Sequence, residues 1–354
     1  GLLGKDDTKA WAWRQRYTFQ GYKGAVFGGD ANNTNGFKME TTPNRAATWS
    51  DELKMNFGID TKFFDNRLSF TAESYYNIGT NLLINRTGNL PFTIGGSVAA
   101  ENFGSVDAYG YELSLGWNDN IGQDFKYGID LRFGWSDDKI IKSNFNDADI
   151  LFPWNAQPGK SSDNGVWGYD YLGMFKTQAE VDAYVSKYKI TEVKDIQGNR
   201  LYTSDKLKPG MLYYRDVRSW DPVTKTFGAP DGIIDQYDQV QLAKRANSHA
   251  GMGTTLRFAY KGFSFNAVVN ASFGGWSDID SGVRKALKPK IPQIVNNTVS
   301  IWNDIYDVDV NPNGTMPNPA FNDSNSIQSK FWEVNAFRIQ CRNISLGYAL
   351  PHKA

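Results

Sequence analysis

The chain has 354 residues, with 38 basic and 38 acidic side chains; its formal charge is zero, and it carries no electrostatic footprint for nucleic acid. A single cysteine, Cys341, excludes an internal disulfide and paired-cysteine metal sites. No run of about 18 apolar residues is present, so no helix can cross a bilayer, yet a spanning strand needs only about 9–11 alternating residues and escapes an average hydropathy.

In chain order, a weak strand is predicted between Trp11 and Phe27. Strict alternation of apolar and polar residues then predicts six further strands. The first sets Leu53, Met55, Phe57, Ile59 and Phe63 against Lys54, Asn56, Asp60 and Lys62. The second sets Leu68, Phe70, Ala72 and Tyr76 against Ser69, Thr71, Glu73 and Asn77. The third sets Tyr109, Tyr111, Leu113, Leu115 and Trp117 against Gly110, Glu112, Ser114 and Gly116. The fourth sets Phe125, Tyr127, Ile129, Leu131, Phe133 and Trp135 against Lys126, Gly128, Asp130, Arg132 and Gly134. The fifth sets Met252, Leu256, Phe258 and Tyr260 against Gly253, Thr255 and Arg257, and the sixth sets Phe263, Phe265, Ala267 and Phe273 against Ser264, Asn266 and Asn270. A seventh runs from about Phe337 to Leu350, with its period slipping near Asn343 as at a bulge.

The links between strands alternate in length. Asp65-Asn66-Arg67, the Asn118-Asp119-Asn120 region and Lys261-Gly262 are tight hairpin connections. The other links are long, at about 1–46, 80–106, 138–250 and 275–331. Antiparallel neighbours therefore put the tight turns at one end and the long loops at the other, the asymmetry of outer-membrane barrels. Tyr109 and Trp117 share a face eight residues apart, as do Tyr127 and Trp135. At roughly 3.3 Å per residue, less strand tilt, that spacing matches the apolar band between two aromatic girdles, about 20 Å. The fold expected is all-β: an antiparallel transmembrane β-barrel segment with long extracellular loops and one short loop helix. A soluble sandwich would show the same alternation with its apolar face as core; the length of the long links favours the barrel.

The link 138–250 carries most of the candidate chemistry. Thr177 and Glu180 read as a capping box opening an amphipathic helix that shows Val181, Tyr184, Val185 and Tyr188 on one face, a helix that pins its own loop. Trp154, Trp167, Tyr169, Tyr171 and Trp220 are candidate ligand-binding rings, since aromatic faces next to Asn and Asp stack on sugars; the same rings could form a core for the loop. Asp231, Asp235 and Asp238 surround Gly232 and are a candidate calcium set, though not at EF-hand spacing. Strand parity aims Lys126, Asp130, Arg132, Arg257 and Asn266 into a wet interior, with Arg132 and Asn266 the candidate ligand contacts there, near the long-loop end. His249 and His352 stand far apart and near no plausible nucleophile, and Gly251–Thr255 runs into a strand without the lysine of a phosphate loop, so no motif commits the chain to catalysis. Apart from the calcium option, no cofactor is expected.

The stretch "ATWSDELKMNFGIDTKFFDNRLSFTAESYYNIGTNLLI" resembles the barrel of SusC/RagA-like TonB-dependent outer-membrane transporters, through Trp49, Glu52, Asn56, Gly58, Asp60, Asn66, Arg67, Leu68, Tyr75 and Tyr76. "NFGSVDAYGYELSLGW", "LKPGMLYYRDV" with "PDGIIDQYD", and "FRIQCRNISLGYALP" are similar to later blocks of that family, in family order. The resemblance implies a 22-stranded barrel in the outer membrane of a Gram-negative bacterium, with long loops extracellular and with an N-terminal plug and TonB box that have no counterpart in these residues. It implies import of a large nutrient, an oligosaccharide or glycan first and a peptide as the alternative. Its implied partners are a SusD-like surface lipoprotein acting as a lid, TonB, the ligand and the lipid bilayer, and no nucleic acid. A secreted carbohydrate-binding β protein is the competing reading. Both ends of the chain read as cut, so a segment of a longer polypeptide is expected.

Overall fold

The computed structural model describes residues 1–5, 12–24, 34–85, 99–279, 284 and 304–350. It divides the chain into two compact units, one of Gly1–Ser162, His249–Ala271 and Ile339–Ala354 and the other of Asp163–Ser248 and Ser272–Arg338.

The first unit is built on one eight-stranded sheet. Its strands are β1 (Leu2–Lys5), β2 (Ser50–Phe63), β3 (Leu68–Ile84), β4 (Glu101–Ile121), β5 (Phe125–Lys142), β6 (Ala250–Tyr260), β7 (Phe263–Phe273) and β8 (Arg338–Tyr348), and each lies beside its neighbour in sequence. The β1–β2, β2–β3, β3–β4, β4–β5 and β5–β6 pairs are antiparallel. All seven strands predicted by alternation are present. The weak strand is a short one, Tyr17–Gln20, paired with Gly36–Met39 and outside the large sheet; Trp11 and Phe27 lie outside the described residues.

The tight turns are formed as expected. Lys261 and Gly262 both hold positive φ, 44° and 89°, which gives a two-residue turn the twist its flanking strands need. Phe64, Asp65 and Asn66 carry positive φ in succession between β2 and β3. An aromatic in that region is uncommon, and Phe64 sits 6.1 Å from the Trp117 ring.

Register turns the alternation into rows that cross the strands. One row is Phe63, Leu68, Trp117, Ile129 and Leu256; the next is Thr61, Phe70, Leu115, Leu131 and Thr254; the next Ile59, Ala72, Leu113, Phe133 and Met252; then Phe57, Ser74, Tyr111, Trp135 and Ala250. Aromatic clusters bound these rows at both ends. Toward the long links, Trp135 lies 5.9 Å from Tyr109 and 5.5 Å from Tyr111. Toward the tight turns, Trp117 Nε1 donates to the Tyr127 hydroxyl at 3.3 Å, and Phe125 lies 6.4 Å from Tyr260. Just past the first cluster the same face turns polar: Asp107 pairs with Lys139 in register, and Tyr76 donates to Asp107 at 2.6 Å.

Among the described residues no layer covers the apolar rows. Leu113, Leu115, Leu131 and Met252 remain 39%, 42%, 37% and 42% exposed. At roughly 25 cal/mol per Å² of apolar area, a face of this kind is not left in water without a compensating environment. Ala267 is the one apolar residue of this unit that is buried among the described residues. A sandwich would have put its core on this face, so the sandwich alternative fails for this sheet. No helix of the described residues is long and apolar enough to cross a membrane, a criterion that does not bear on strands.

The buried core lies in the second unit. Tyr169, Phe175, Val181, Ile190, Leu212, Tyr214, Ile234 and Trp332 form one cluster, each at most 2% exposed. The helix α1, Gln178–Tyr188, buries Val181 and Tyr184 in it and packs Val185 and Tyr188 against its rim, so it pins its own loop as predicted. Its cap differs by one residue. Thr177 Oγ1 accepts from Glu180 N at 3.3 Å, but the Glu180 carboxylate accepts from Lys176 N at 2.7 Å instead of from Thr177.

The strands also run past the predicted ends, as in Glu101–Ile121 against the predicted Tyr109–Trp117. If the apolar rows face lipid, Leu131→Lys on the outer face lowers stability by about 2–4 kcal/mol, while Arg132→Ala on the opposite face changes it by less than about 0.5 kcal/mol. Unfolding in lipid vesicles measures both; equal effects would remove the assignment of faces.

Candidate functional site

The polar face of the sheet is assembled by the same registers. At one level Lys62, Ser69, Gly116, Asp130 and Thr255 lie across five strands; at the next come Asn118, Gly128 and Arg257; at the next Asn120, Lys126 and Ala259. Arg257 ties two levels together. Its Nη1 lies 2.5 Å from Asp130 Oδ2, and its Nη2 donates to Asn118 Oδ1 at 3.1 Å. Glycine makes room for this network. A Cβ on Gly128 would collide with Asn118 Oδ1, and one on Gly116 would meet Ser69 Oγ at 2.5 Å and Asp130 Oδ1 at 2.9 Å.

Beside the network the face is hollowed into a groove of about 580 Å³, lined by residues of β4, β5, β6, β7 and β8. Its polar lining residues are Asn118, Asp119, Asn120, Lys126, Tyr127, Arg257, Ser264, Asn266 and Ser345. The candidate Asn266 therefore sits in a groove with Lys126 and Arg257. The candidate Arg132 lies elsewhere on the face, exposed, in register with Ser114 and Gly253. The groove adjoins the tight turns, whereas the sequence placed binding near the long loops. Asn118, Asn120, Ser264 and Ser345 were not singled out from sequence; strand parity was the signal available for the first three.

The ring candidates of the long link have separate fates. Trp154 stacks on Phe152 at 5.2 Å and is half-buried. Trp167 is half-buried in the short strand Val166–Gly168, and its Nε1 donates to Asn164 O at 2.8 Å. Tyr171 packs edge-on against Phe331 at 5.1 Å. Trp220 stands between Phe227 at 5.0 Å and Tyr237 at 5.8 Å. Tyr169 has no exposed surface, and its hydroxyl donates to Lys194 O at 3.2 Å. Its ring belongs to the core and is closed to a ligand, and burial drives its pKa far above the ordinary phenol value.

The acid candidates are occupied by the backbone. Asp238 is fully buried; its Oδ1 accepts from Val217 N at 2.7 Å and Arg218 N at 3.0 Å, and its Oδ2 accepts from Asp235 N at 2.8 Å. Asp235 caps a short 3-10 turn through Tyr237 N at 2.9 Å, and Asp231 accepts from Ile233 N at 2.9 Å. These carboxylates staple the turns around Gly232, whose φ is +84°. No group of three or more His, Cys, Asp or Glu side chains among the described residues is arranged to hold a metal ion.

No family model matches the chain. Two TonB-dependent receptors of Formosa agariphila are 25% and 24% identical to it, over 333 and 330 residues, each covering 90% of this chain. The chain spans 31% and 29% of those receptors, so about a third of their length. Among solved structures, the RagAB peptide transporter covers 99% of this chain with a TM-score of 0.59 at 18% identity, and the closed-closed state of the RagAB peptide importer gives 0.63. The chain covers 34% and 33% of those transporter chains. The shared fold agrees with the eight-stranded antiparallel sheet.

Asp238 generates a pH dependence. Burial pushes its carboxyl up to about 7 against the pull of its backbone donors, while an unfolded Asp titrates near 4. Between those values the folded state keeps a proton that the unfolded chain has released. This contribution to stability is therefore full below about pH 4 and is lost as pH rises through about 7. Proteolysis rates of the Asp163–Ser248 region should rise over that window in the parent and stay flat in Asp238→Asn. Asp238→Ala, which strands three backbone donors, should cost about 1–3 kcal/mol.

Proposed function

We propose, for a chain that carries the sequence marks and the fold of a SusC/RagA-like TonB-dependent outer-membrane transporter, that it forms part of the wall of an import path for a large nutrient. One observation carries this reading: a single laddered sheet with an uncovered apolar band between two aromatic rows, backed by a hydrogen-bonding face with its own groove. A bilayer supplies the missing cover of the first face, and a water-filled lumen suits the second.

The nutrient is read as an oligosaccharide or glycan, and a peptide is the second reading. Half-buried Trp154, Trp167, Tyr171 and Trp220 support sugar contact from the loop side. The likeness to a structure described as a peptide importer supports the other. In either case the long links are placed outside the cell, a SusD-like lipoprotein is the partner over them, and TonB acts through parts of the transporter that these residues do not supply. The same uncovered band argues against a secreted carbohydrate-binding protein, and the likeness to TonB-dependent receptors argues against an enzyme.

The intact receptor should fractionate with outer membranes and leave them only in detergent. Its uptake of fluorescent oligosaccharide or peptide should stop in cells lacking TonB. A receptor recovered folded and monomeric without detergent would end the transport reading, and the labelled compound that enters decides between the two nutrients.

A further inference from the structure

Past the aromatic cluster at the long-link end, the face that carries the apolar rows also carries two lysines. Lys139 lies across from Asp107 and is exposed. Lys142 is three residues on, and strict alternation would send it to the opposite face. The register shift between β4 and β5 prevents this. Val106 pairs with Ile140 and Ser105 with Lys142, so Ile141 is the extra residue of a bulge, which re-aims the side chain that follows it. Lys142 therefore shares a face with Ser105, and so with Asp107 two residues along β4. It is exposed, and its Nζ sits 4.0 Å from the centre of the Phe103 ring. One bulged residue gathers two ammonium groups onto the outer side of the sheet.

The neighbouring acids do not cancel them. Asp107 is 9% exposed and accepts from the Tyr76 hydroxyl at 2.6 Å. Asp137 is 8% exposed and accepts from Ser161 Oγ at 2.7 Å, with His249 Nδ1 at 3.6 Å. Both carboxylates are buried and hold other partners. Neither Lys139 nor Lys142 has an ion pair among the described residues. Their heights are set by the strand. Lys139 follows Trp135 by four residues, about 13 Å, and Lys142 follows Lys139 by about 10 Å, both shortened by tilt. The first interval leads from the aromatic belt into the headgroup layer. The second is taller than the single phosphate of a simple phospholipid.

We infer that this strip of outer wall holds a phosphorylated glycolipid of the leaflet on the long-link side, with Lys139 and Lys142 pairing anionic groups at two heights of its headgroup. Sugars between the anionic groups supply the height, and the phosphates supply the charge. The inference rests on the import reading, which sets this face against lipid, and adds one selected lipid to it.

Native mass spectrometry of the intact detergent-solubilised receptor tests it with diphosphoryl lipid A and the same glycolipid stripped of its phosphates. The phosphorylated form should bind about tenfold more tightly. Lys139→Gln with Lys142→Gln should bring the two forms within about twofold of each other, and Lys139→Arg with Lys142→Arg should keep the gap. Lys62→Gln, on the opposite face, should leave the gap unchanged. Should the glutamine pair not fold, each single glutamine variant reads the same effect, narrowing the gap about threefold. Equal binding of the two forms by the parent, a gap that survives the glutamine variants, or release of the lipid by millimolar inorganic phosphate would each overturn the inference. Uptake is measured alongside. If it requires TonB while the gap is absent, this inference alone falls; a receptor that stays folded and monomeric without detergent removes the import reading with it.

Discussion

The backbone ladder is the constraint on which this molecule depends. In hydrocarbon, each unpaired N–H or C=O costs several kcal/mol, so strands can cross only when their neighbours satisfy them along their whole length. A continuous ladder fixes side-chain parity, and over the regular stretches of β2 to β6, short of the register shifts at Gly79–Leu83 and Ser105–Val106, parity then assigns each residue to one of two faces. Leu131 and Arg132 are adjacent in the chain and face opposite solvents for this reason alone. The uncovered rows, the aromatic borders and the polar groove are three results of one hydrogen-bonding scheme.

On the polar side, residue size matters as much as charge. Asp130, Arg257 and Asn118 come from three strands and meet because Gly116 and Gly128 place no Cβ between them. An exposed ion pair of this kind adds little stability by itself. Its role is to fix Arg257 in one orientation.

Much of this was legible in sequence because alternation is a local signal. Seven of the sheet's eight strands and its two faces follow from residues two apart, while β1 is too short to show the pattern and lies in a stretch read as a long link. The signal failed beyond Tyr109 and Trp135, where Asp107, Asp137 and Lys139 make the outer face polar while the ladder continues. Hydrophobic periodicity reports the environment, and the environment changed before the structure did. The site was harder to read. Tyr169 and Trp220 look alike as aromatic letters beside polar ones, and burial, which separates them, is a property of contacts distant in sequence. Asp238 resembles an ion ligand until the backbone donors of Val217 and Arg218, about twenty residues upstream, are placed on it. The groove draws on five strands between Asn118 and Ser345, so no window of sequence contains it.

The second unit is made from two stretches separated by the β6–β7 hairpin. Leu212 N donates to Asn325 Oδ1 at 2.8 Å across 113 residues, and the Tyr214 hydroxyl donates to Ser324 O at 2.9 Å across 110. A core closed by such distant partners cannot finish forming until residues near 325 have come back to the stretch around 212, with the β6–β7 hairpin lying between them in sequence. Loop-closure entropy must be met before these contacts give anything back, so they belong to the slow part of folding. Until then Leu212 and Tyr214 lack these partners. The β6–β7 hairpin, whose partners are a few residues apart, can therefore close before this core does, and until the core closes its apolar side chains are open to association with other chains.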